Sequence, residues 1–233
     1  DDRRRYDVLA KMRRSYAALR RPEDPQRAPV QVVTRMREIS KGLDRGTDSA
    51  HAVAWTRAAQ QIKASPHYDG LVLRPQVGLV PLGADPTSGL HEFAYMPSGD
   101  VPVRAQGAFE VQPETAVVLV LVPPGEYVRG AQKEDPSGRN YDEYAASIEG
   151  PPHLVRITQP FFLGKYETTQ YQWSRLSLEQ WNPSMWRPGM RPKDAPRRVP
   201  ETAPVEDLTW WDTMRILSRH GLTLPSAAQW EYA

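Results

Sequence analysis

Prolines occur in this chain at about twice the usual frequency of ~5%, and they set the first limit on its fold. The sequence has 23 prolines among 233 residues. Because proline fixes φ and lacks a backbone N–H, it interrupts helices and central strands. Many of these prolines fall between short periodic segments. The sequence therefore predicts long ordered loops between short regular elements after residue 65.

The hydrophobic pattern divides the chain into three parts. Residues 1–64 have helical periodicity and predict a helical connector, whose last apolar stripe runs through Val53, Ala58 and Ile62. This stripe is narrow, so we expect the connector to pack on another element; the alternative is a solvated spacer. Residues 65–113 contain short apolar runs separated by Gly, Pro and Asp, which predict a short strand-rich lead-in. Residues 114–233 form the third part.

Local patterns predict strands and helices in the third part. The run of aliphatic residues over Val117–Val122 is typical of a strand buried on both faces, and a second strand is predicted over residues 161–165. Thr169 and Ser226 are each followed three residues later by glutamine, which is the capping-box pattern of a helix start. Thr209 begins a looser version of the same pattern and predicts another helix.

The composition excludes several classes of protein. Thirty basic and 28 acidic residues give a net charge of +2, so no dedicated binding of nucleic acid is expected. No apolar stretch approaches the ~20 residues that span a bilayer, so no membrane segment is predicted. The absence of cysteine removes disulfides and thiolate metal sites from these residues. We expect a soluble protein, in the cytoplasm rather than secreted, although the sequence does not fix its compartment.

The histidines and acidic residues do not predict a metal centre. The histidines are His51, His67, His91, His153 and His220, with no pair four residues apart and no carboxylate at ligand spacing. Acidic residues between positions 134 and 143 lack the spacing of an EF-hand and are expected to form a surface loop. The sequence therefore predicts no cofactor.

Short sequence signatures follow one another in order through the third part. A single match would be weak evidence, but an ordered series is much stronger because the chance probabilities of independent matches multiply. They include Gly125 and Gly130, then His153, then Tyr166, Glu167 and Thr169, then Asn182 and Pro183, then Pro204, Val205 and Trp210, and finally Leu224, Pro225, Trp230 and Glu231. Together they resemble the sulfatase-modifying-factor, or formylglycine-generating-enzyme, family.

This resemblance implies an α+β protein with the C-type-lectin-like fold, in which these signature residues are mainly structural. It also implies that the domain is incomplete on its C-terminal side. The lead-in is similar to the stretch before this domain in large multidomain bacterial signalling proteins, which often carry a serine/threonine kinase. We therefore expect further domains of a longer protein, or a complementary chain, as partners.

The chemistry implied by the resemblance is less direct. The family's oxidase binds copper and activates oxygen with a cysteine pair, and this sequence has no cysteine. We favour a non-catalytic recognition or regulatory module of a bacterial signalling assembly. The alternative is a formylglycine-generating oxidase, or a related non-haem metal enzyme, whose catalytic half lies beyond residue 233. Related iron enzymes take histidine ligands from a helical domain, and the helical part here has only His51.

Two tryptophans are candidates for binding a protein or a small molecule. Trp181 and Trp186 lie in a proline-rich loop, residues 178–204, that is too long for a simple connection. Exposed aromatic side chains in such a loop are typical of recognition surfaces. Core packing is nevertheless the favoured interpretation of Trp186, because the Asn-Pro-Ser-x-aromatic element is itself a family signature, so Trp181 is the better candidate for contact. Trp210 is instead expected in the centre of the domain with Leu208 and Leu224.

Overall fold

A computed structural model of the protein describes residues 49–177, 182–193 and 197–233. The predicted helices before residue 49 and the candidate Trp181 lie outside the described residues. The α-helices are α1 (Ser49–Ala64), α2 (Gln170–Leu176), α3 (Trp210–Ser218) and α4 (Ala227–Tyr232). The strands are β1 (Leu79–Ala84), β2 (His91–Tyr95), β3 (Arg104–Ala105), β4 (Ala108–Phe109), β5 (Val117–Val122), β6 (Gly125–Arg129), β7 (His153–Ile157) and β8 (Phe161–Gly164). In the part of the chain that these ranges cover, no helix is long and apolar enough to span a membrane.

A four-stranded antiparallel sheet in the order β1-β2-β5-β8 forms the centre of the fold. Phe93 of β2 lies opposite Leu119 of β5, and Val120 lies opposite Leu163 of β8. The predicted strand over residues 117–122 is confirmed, and its aliphatic run fits a strand with neighbours on both sides. The sheet is continuous from the lead-in into the third part, while the domain boundaries near residues 64 and 113 stay predictions. Two smaller sheets pair β3 with β4 and β6 with β7.

Helix α1 packs on this sheet through one apolar face. Trp55, Ala58 and Ile62 are buried, and the indole N–H of Trp55 donates a hydrogen bond to the carbonyl of Leu79, 3.1 Å away. The narrow stripe therefore packs on another element, as predicted. The prediction that this stripe includes Val53 is wrong, because Val53 is 64% exposed and the buried face is centred on Trp55 instead.

One main core joins residues from distant parts of the chain. Ile62 of α1, Phe93 of β2, Leu121 of β5, Trp173 of α2 and Ile216 of α3 are all buried in it. Elements before residue 113 and after it therefore bury their apolar surface together. Burial of that surface is the main favourable contribution to folding, so this core is expected to depend on all of these elements.

The predicted helix starts are confirmed. Thr169 accepts a hydrogen bond from the backbone N–H of Gln172, and the Gln172 side chain accepts one from the backbone N–H of Thr169. Ser226 and Gln229 repeat this capping box at the start of α4. Thr209 accepts from the backbone N–H of Asp212 at the start of α3. These caps satisfy N–H groups that have no partner within their helices.

Trp210 lies on the surface, so the prediction that it packs with Leu224 in the domain centre is wrong. Its side chain is 56% exposed and meets Trp211 edge to face, with ring centroids 4.7 Å apart. Helix α3 instead buries the face that carries Thr213 and Ile216. Because so short a helix buries only one face, its first residues are left at the edge of the core. Leu224 is also 37% exposed.

Candidate functional site

A cluster of charged side chains lies beside the central sheet. Glu92 of β2 has a fully buried side chain that pairs with Arg104 and accepts a hydrogen bond from the Lys165 ammonium. Lys165 also lies 3.2 Å from the Asp85 carboxylate, and the Arg104 guanidinium lies 4.2 Å from the centre of the Phe109 ring. A buried carboxylate is costly unless it is paired, and here two cations pair with it.

The pKa shifts in this cluster follow from its pairing. Burial by itself would lower the pKa of Lys165, but its hydrogen bonds to Glu92 and Asp85 outweigh burial and raise it. The pKa of Asp85 is lowered, first by the backbone N–H of Thr87 and then by Lys165. Each charged group in the cluster is paired with an opposite charge, so we assign the cluster to stability rather than to chemistry.

The signature residue Glu231 joins α4 to the end of β6. Its carboxylate accepts a hydrogen bond from the backbone N–H of Gly130 at 2.8 Å and another from the Arg129 guanidinium at 3.1 Å. Both bonds favour the charged form and lower the pKa of Glu231, the backbone bond most strongly. Gly130 has φ 92°, and a Cβ atom there would come within 2.5 Å of the carbonyl of Glu149. This position therefore fits only glycine.

A second contact between these elements involves Gly125. A Cβ atom at Gly125 would come within 2.2 Å of the Tyr232 hydroxyl, so the missing side chain leaves room for the tyrosine. The hydroxyl of Tyr127 donates to the carbonyl of Ala228 at 2.8 Å. These contacts support a structural role for the signature residues of β6 and α4.

A shallow cleft of about 600 Å³ lies beside α4. Trp230 lines the cleft and is 70% exposed, whereas Arg129 and Glu231, which also line it, form an ion pair with each other. Its lining consists of Arg129, Leu224, Pro225, Ala227, Trp230 and Glu231. The cleft is mostly apolar, and its charged groups are already paired, so it offers few groups that would orient a ligand.

The loop around Trp186 is fastened to the start of α2 by a buried glutamine. Gln170 is 3% exposed, and its amide N–H groups donate to the carbonyls of Trp186 at 2.8 Å and Pro204 at 3.2 Å. Its amide oxygen accepts from the side chain of Asn182 at 2.7 Å. One side chain therefore holds three points of the loop, and all of its hydrogen bonds are to protein groups.

Ser184 and Glu206 complete this anchor. The buried Ser184 hydroxyl accepts from the backbone N–H of Glu206 at 3.1 Å, and the Glu206 carboxylate accepts from the backbone N–H of Trp186 at 2.9 Å. Thr169 bridges to Pro204, so the end of the loop also pairs with the cap of α2. The backbone on both sides of the loop is thus fixed to the body of the protein.

This anchored backbone exposes apolar side chains. Met185 is 64% exposed, Trp186 42% and Met190 45%, although the neighbouring Ser184 is buried. A short backbone pairing closes the turn, in which the N–H of Val199 donates to the carbonyl of Met190 at 2.8 Å. Arg187 and Arg198 are exposed on the same turn. We refer to Met185, Trp186, Arg187, Met190 and Arg198 as the Trp186 surface.

The structure separates the predicted site residues into groups. Trp186 is exposed, so the favoured interpretation that it packs in the core is wrong, and Met185 and Met190 beside it were not predicted. Asn182 and Pro204 belong to the anchor beneath the surface. Pro183 and Val205 are half-buried next to the anchor. Tyr166 and Glu167 are exposed after β8. His153 lies at the start of β7, with its Nδ1 2.9 Å from the carbonyl of Pro151.

The described ranges, residues 49–177, 182–193 and 197–233, do not form a metal centre. Within them, no three His, Cys, Asp or Glu side chains are grouped so that they could hold a metal ion. The same ranges do contain a fixed loop that displays apolar and cationic side chains.

Comparison with known families identifies the third part of the chain. A family model described as the sulfatase-modifying factor enzyme 1-like domain matches residues 105–233, which is more than half of the sequence. The match begins at β3 and includes β5, the anchored loop and helix α4. No curated protein and no solved structure matches the chain.

Proposed function

The chain belongs to the sulfatase-modifying factor enzyme 1-like domain family, which has the C-type-lectin-like fold, and we propose that it is a recognition module without a reaction of its own. The observation that carries this proposal is the Trp186 surface, where Met185, Trp186 and Met190 are exposed on an anchored backbone. The natural setting for such a module is a larger bacterial signalling assembly.

The physical reason lies in the contrast between the anchor and the surface. Large apolar side chains on a protein surface cost free energy in water, and contiguous groups of them mark interaction sites. A loop whose backbone is already fixed loses little conformational entropy when a partner binds, so more of the contact energy contributes to affinity. The hydrogen bonds of Gln170 and Ser184 provide this fixation. Trp181 in the same loop remains a proposed contact residue.

Family membership favours a second candidate function. The chain would then be part of a formylglycine-generating oxidase that acts on a sulfatase cysteine. These 233 residues contain no cysteine, so the cysteine pair of such an enzyme would have to lie outside them. We place recognition first because it uses side chains that the described residues contain.

Selection from a random peptide display library tests the recognition proposal. We expect peptides that bind the chain and lose binding to a Trp186→Ala variant. Trp211→Ala is the matched control, because Trp211 is 76% exposed but lies outside the Trp186 surface, and it should retain binding. Selected peptides that bind the Trp186→Ala variant as well as the parent chain would contradict the proposal, as would a selection that yields no peptide dependent on Trp186.

A further inference from the structure

We infer that the Trp186 surface binds an acidic protein segment that carries an apolar side chain. This inference rests on the proposed recognition function and adds the chemistry of the partner. Residues 185–199 contain five cationic residues and one acidic residue, whereas the whole chain has a net charge of only +2. The positive charge is therefore concentrated in the loop that also exposes the apolar side chains.

The exposed arginines are available to a carboxylate. The guanidinium of Arg187 donates to the carbonyl of Asn182 at 3.3 Å, and that of Arg198 donates to the carbonyl of Gly189 at 2.6 Å. Among the described residues, neither guanidinium pairs with a carboxylate. A guanidinium has five N–H donors, so each arginine keeps donors for a further acceptor and is already oriented by its backbone contact.

The neighbouring acidic residues offset this charge only in part. Glu206 accepts the backbone N–H of Trp186 but keeps its charge, and over residues 185–206 five basic residues stand against three acidic ones. Glu201 is exposed beyond the paired turn, on the part of the loop that returns to the anchor. Unlike charges across an interface favour association and suppress partners of the wrong sign. The basic loop therefore selects for acidic partners.

The apolar members of the surface favour a protein segment over a nucleic acid. Met185 and Met190 have flexible, polarizable side chains that adapt to apolar groups of different shapes. Binding of single-stranded nucleic acid uses aromatic side chains on which successive bases stack, along a groove of positive charge. Trp186 is the one aromatic side chain on this surface. Arginine beside methionine and tryptophan matches the enrichment found in the centres of protein interfaces.

Fluorescence anisotropy with defined peptides tests the inference. The probe is a labelled peptide in which glutamates flank a central phenylalanine, and the comparison peptides replace the glutamates with glutamine or the phenylalanine with alanine. We expect the first peptide to bind most tightly and to lose affinity as salt is added. The combined Arg187→Glu and Arg198→Glu variant should weaken binding about tenfold or more, because it replaces attraction with repulsion.

Matched variants separate charge at this surface from charge elsewhere. Arg139→Glu reverses an exposed arginine in another loop and should leave the affinity unchanged. Met190→Ser should weaken binding of the phenylalanine peptide but not of its alanine counterpart. Because these side chains are exposed and make only surface hydrogen bonds to the loop backbone, the variants should melt close to the parent chain, which circular dichroism checks.

Several outcomes would overturn the inference. Equal binding of the glutamate and glutamine peptides would contradict an acidic partner. An unchanged affinity of the charge-reversed variant would contradict it as well. So would a single-stranded RNA that competes more strongly than the glutamate peptide. If library peptides depend on Trp186 but are not enriched in acidic residues, recognition stands and this inference falls. If no peptide depends on Trp186, both fall.

Discussion

The carboxylate of Glu231 lies 2.8 Å from the backbone nitrogen of Gly130, 101 positions earlier in the chain, and this bond closes the contact between α4 and β6. Because its folded-state pKa is lowered, Glu231 stabilises the fold above its ordinary pKa of 4.5, and this contribution is lost as pH falls through the lower folded value. We expect Glu231→Gln to melt at a lower temperature than the parent at neutral pH, and the two curves to converge as pH falls below 4.5.

Thermal melts across this pH range, followed by circular dichroism, measure the effect. Glu143→Gln is the control, since Glu143 is an exposed residue of the acidic loop, and its melts should follow the parent at every pH. A constant difference between Glu231→Gln and the parent, independent of pH, would show that the charge of Glu231 is not what matters.

Gly130 should not tolerate a side chain. We expect Gly130→Ala to destabilise the protein by about 1–3 kcal/mol, because it combines a left-handed backbone with a clash against the carbonyl of Glu149. Gly221 also has positive φ, but a Cβ atom there meets nothing within 4 Å. Denaturant unfolding of Gly221→Ala therefore gives the cost of the backbone alone, and an equal loss in both variants would argue against the clash.

The pairing of Glu92 with Lys165 should be much more important than pairings on the surface. Lys165→Met removes one partner of a fully buried carboxylate and should cost about 3–5 kcal/mol in the free energy of unfolding. The control is Arg156→Met, which breaks the exposed pair with Glu126 and should cost about 0–1 kcal/mol. Urea unfolding measures both, and similar losses would mean that Arg104 alone compensates Glu92.

Residues before position 114 should be required for cooperative folding. The fragment 114–233 lacks α1, β1 and β2, and with them Ile62 and Phe93, which are fully buried in the main core. We expect this fragment to expose apolar surface and to give no cooperative melt. In the whole chain, Trp55→Ala should cost about 3–5 kcal/mol, while Val53→Ala on the exposed face of α1 should change little. A cooperative monomeric melt of the fragment would contradict this prediction.

The chain should not convert a cysteine peptide. With no thiol among its 233 residues, it should leave a sulfatase-derived cysteine peptide unchanged when copper(I) and oxygen are supplied. Mass spectrometry of the peptide is the measurement, and a peptide with serine in place of cysteine is the control. A mass loss that matches formylglycine would favour the oxidase over the recognition module.

Sequence patterns predicted the helix starts and strands whose formation depends on residues close together in the sequence. The capping box of Thr169 and Gln172 lies within one helical turn, and the aliphatic run of β5 is continuous, so both could be recognised without tertiary information. The position of Trp210 could not, because the face that a short helix buries depends on what packs against it. The pairing of Lys165 with Glu92 joins residues 73 positions apart, and no local pattern indicates it.

The candidate site was predicted in the same uneven way. Tryptophan in a long proline-rich loop indicated Trp181 first, whereas the family signature favoured core packing for Trp186. The density of arginine in residues 185–199 was a signal for the charge that could have been used. The anchor could not be predicted from the sequence, because the contacts from Gln170 to the loop join residues 16 and 34 positions apart. Without it, the length of the loop argues against a simple connection but does not show which of its side chains are held on a fixed backbone.

The anchor of Gln170, Ser184 and Glu206 acts on backbone groups of the loop, whereas the side chains of Met185, Trp186 and Met190 are exposed to solvent. The residues of this anchor are therefore different from the apolar residues that would meet a partner. Specificity can then change in evolution, or in the laboratory, by exchange of the displayed side chains while the underlying scaffold is inherited intact.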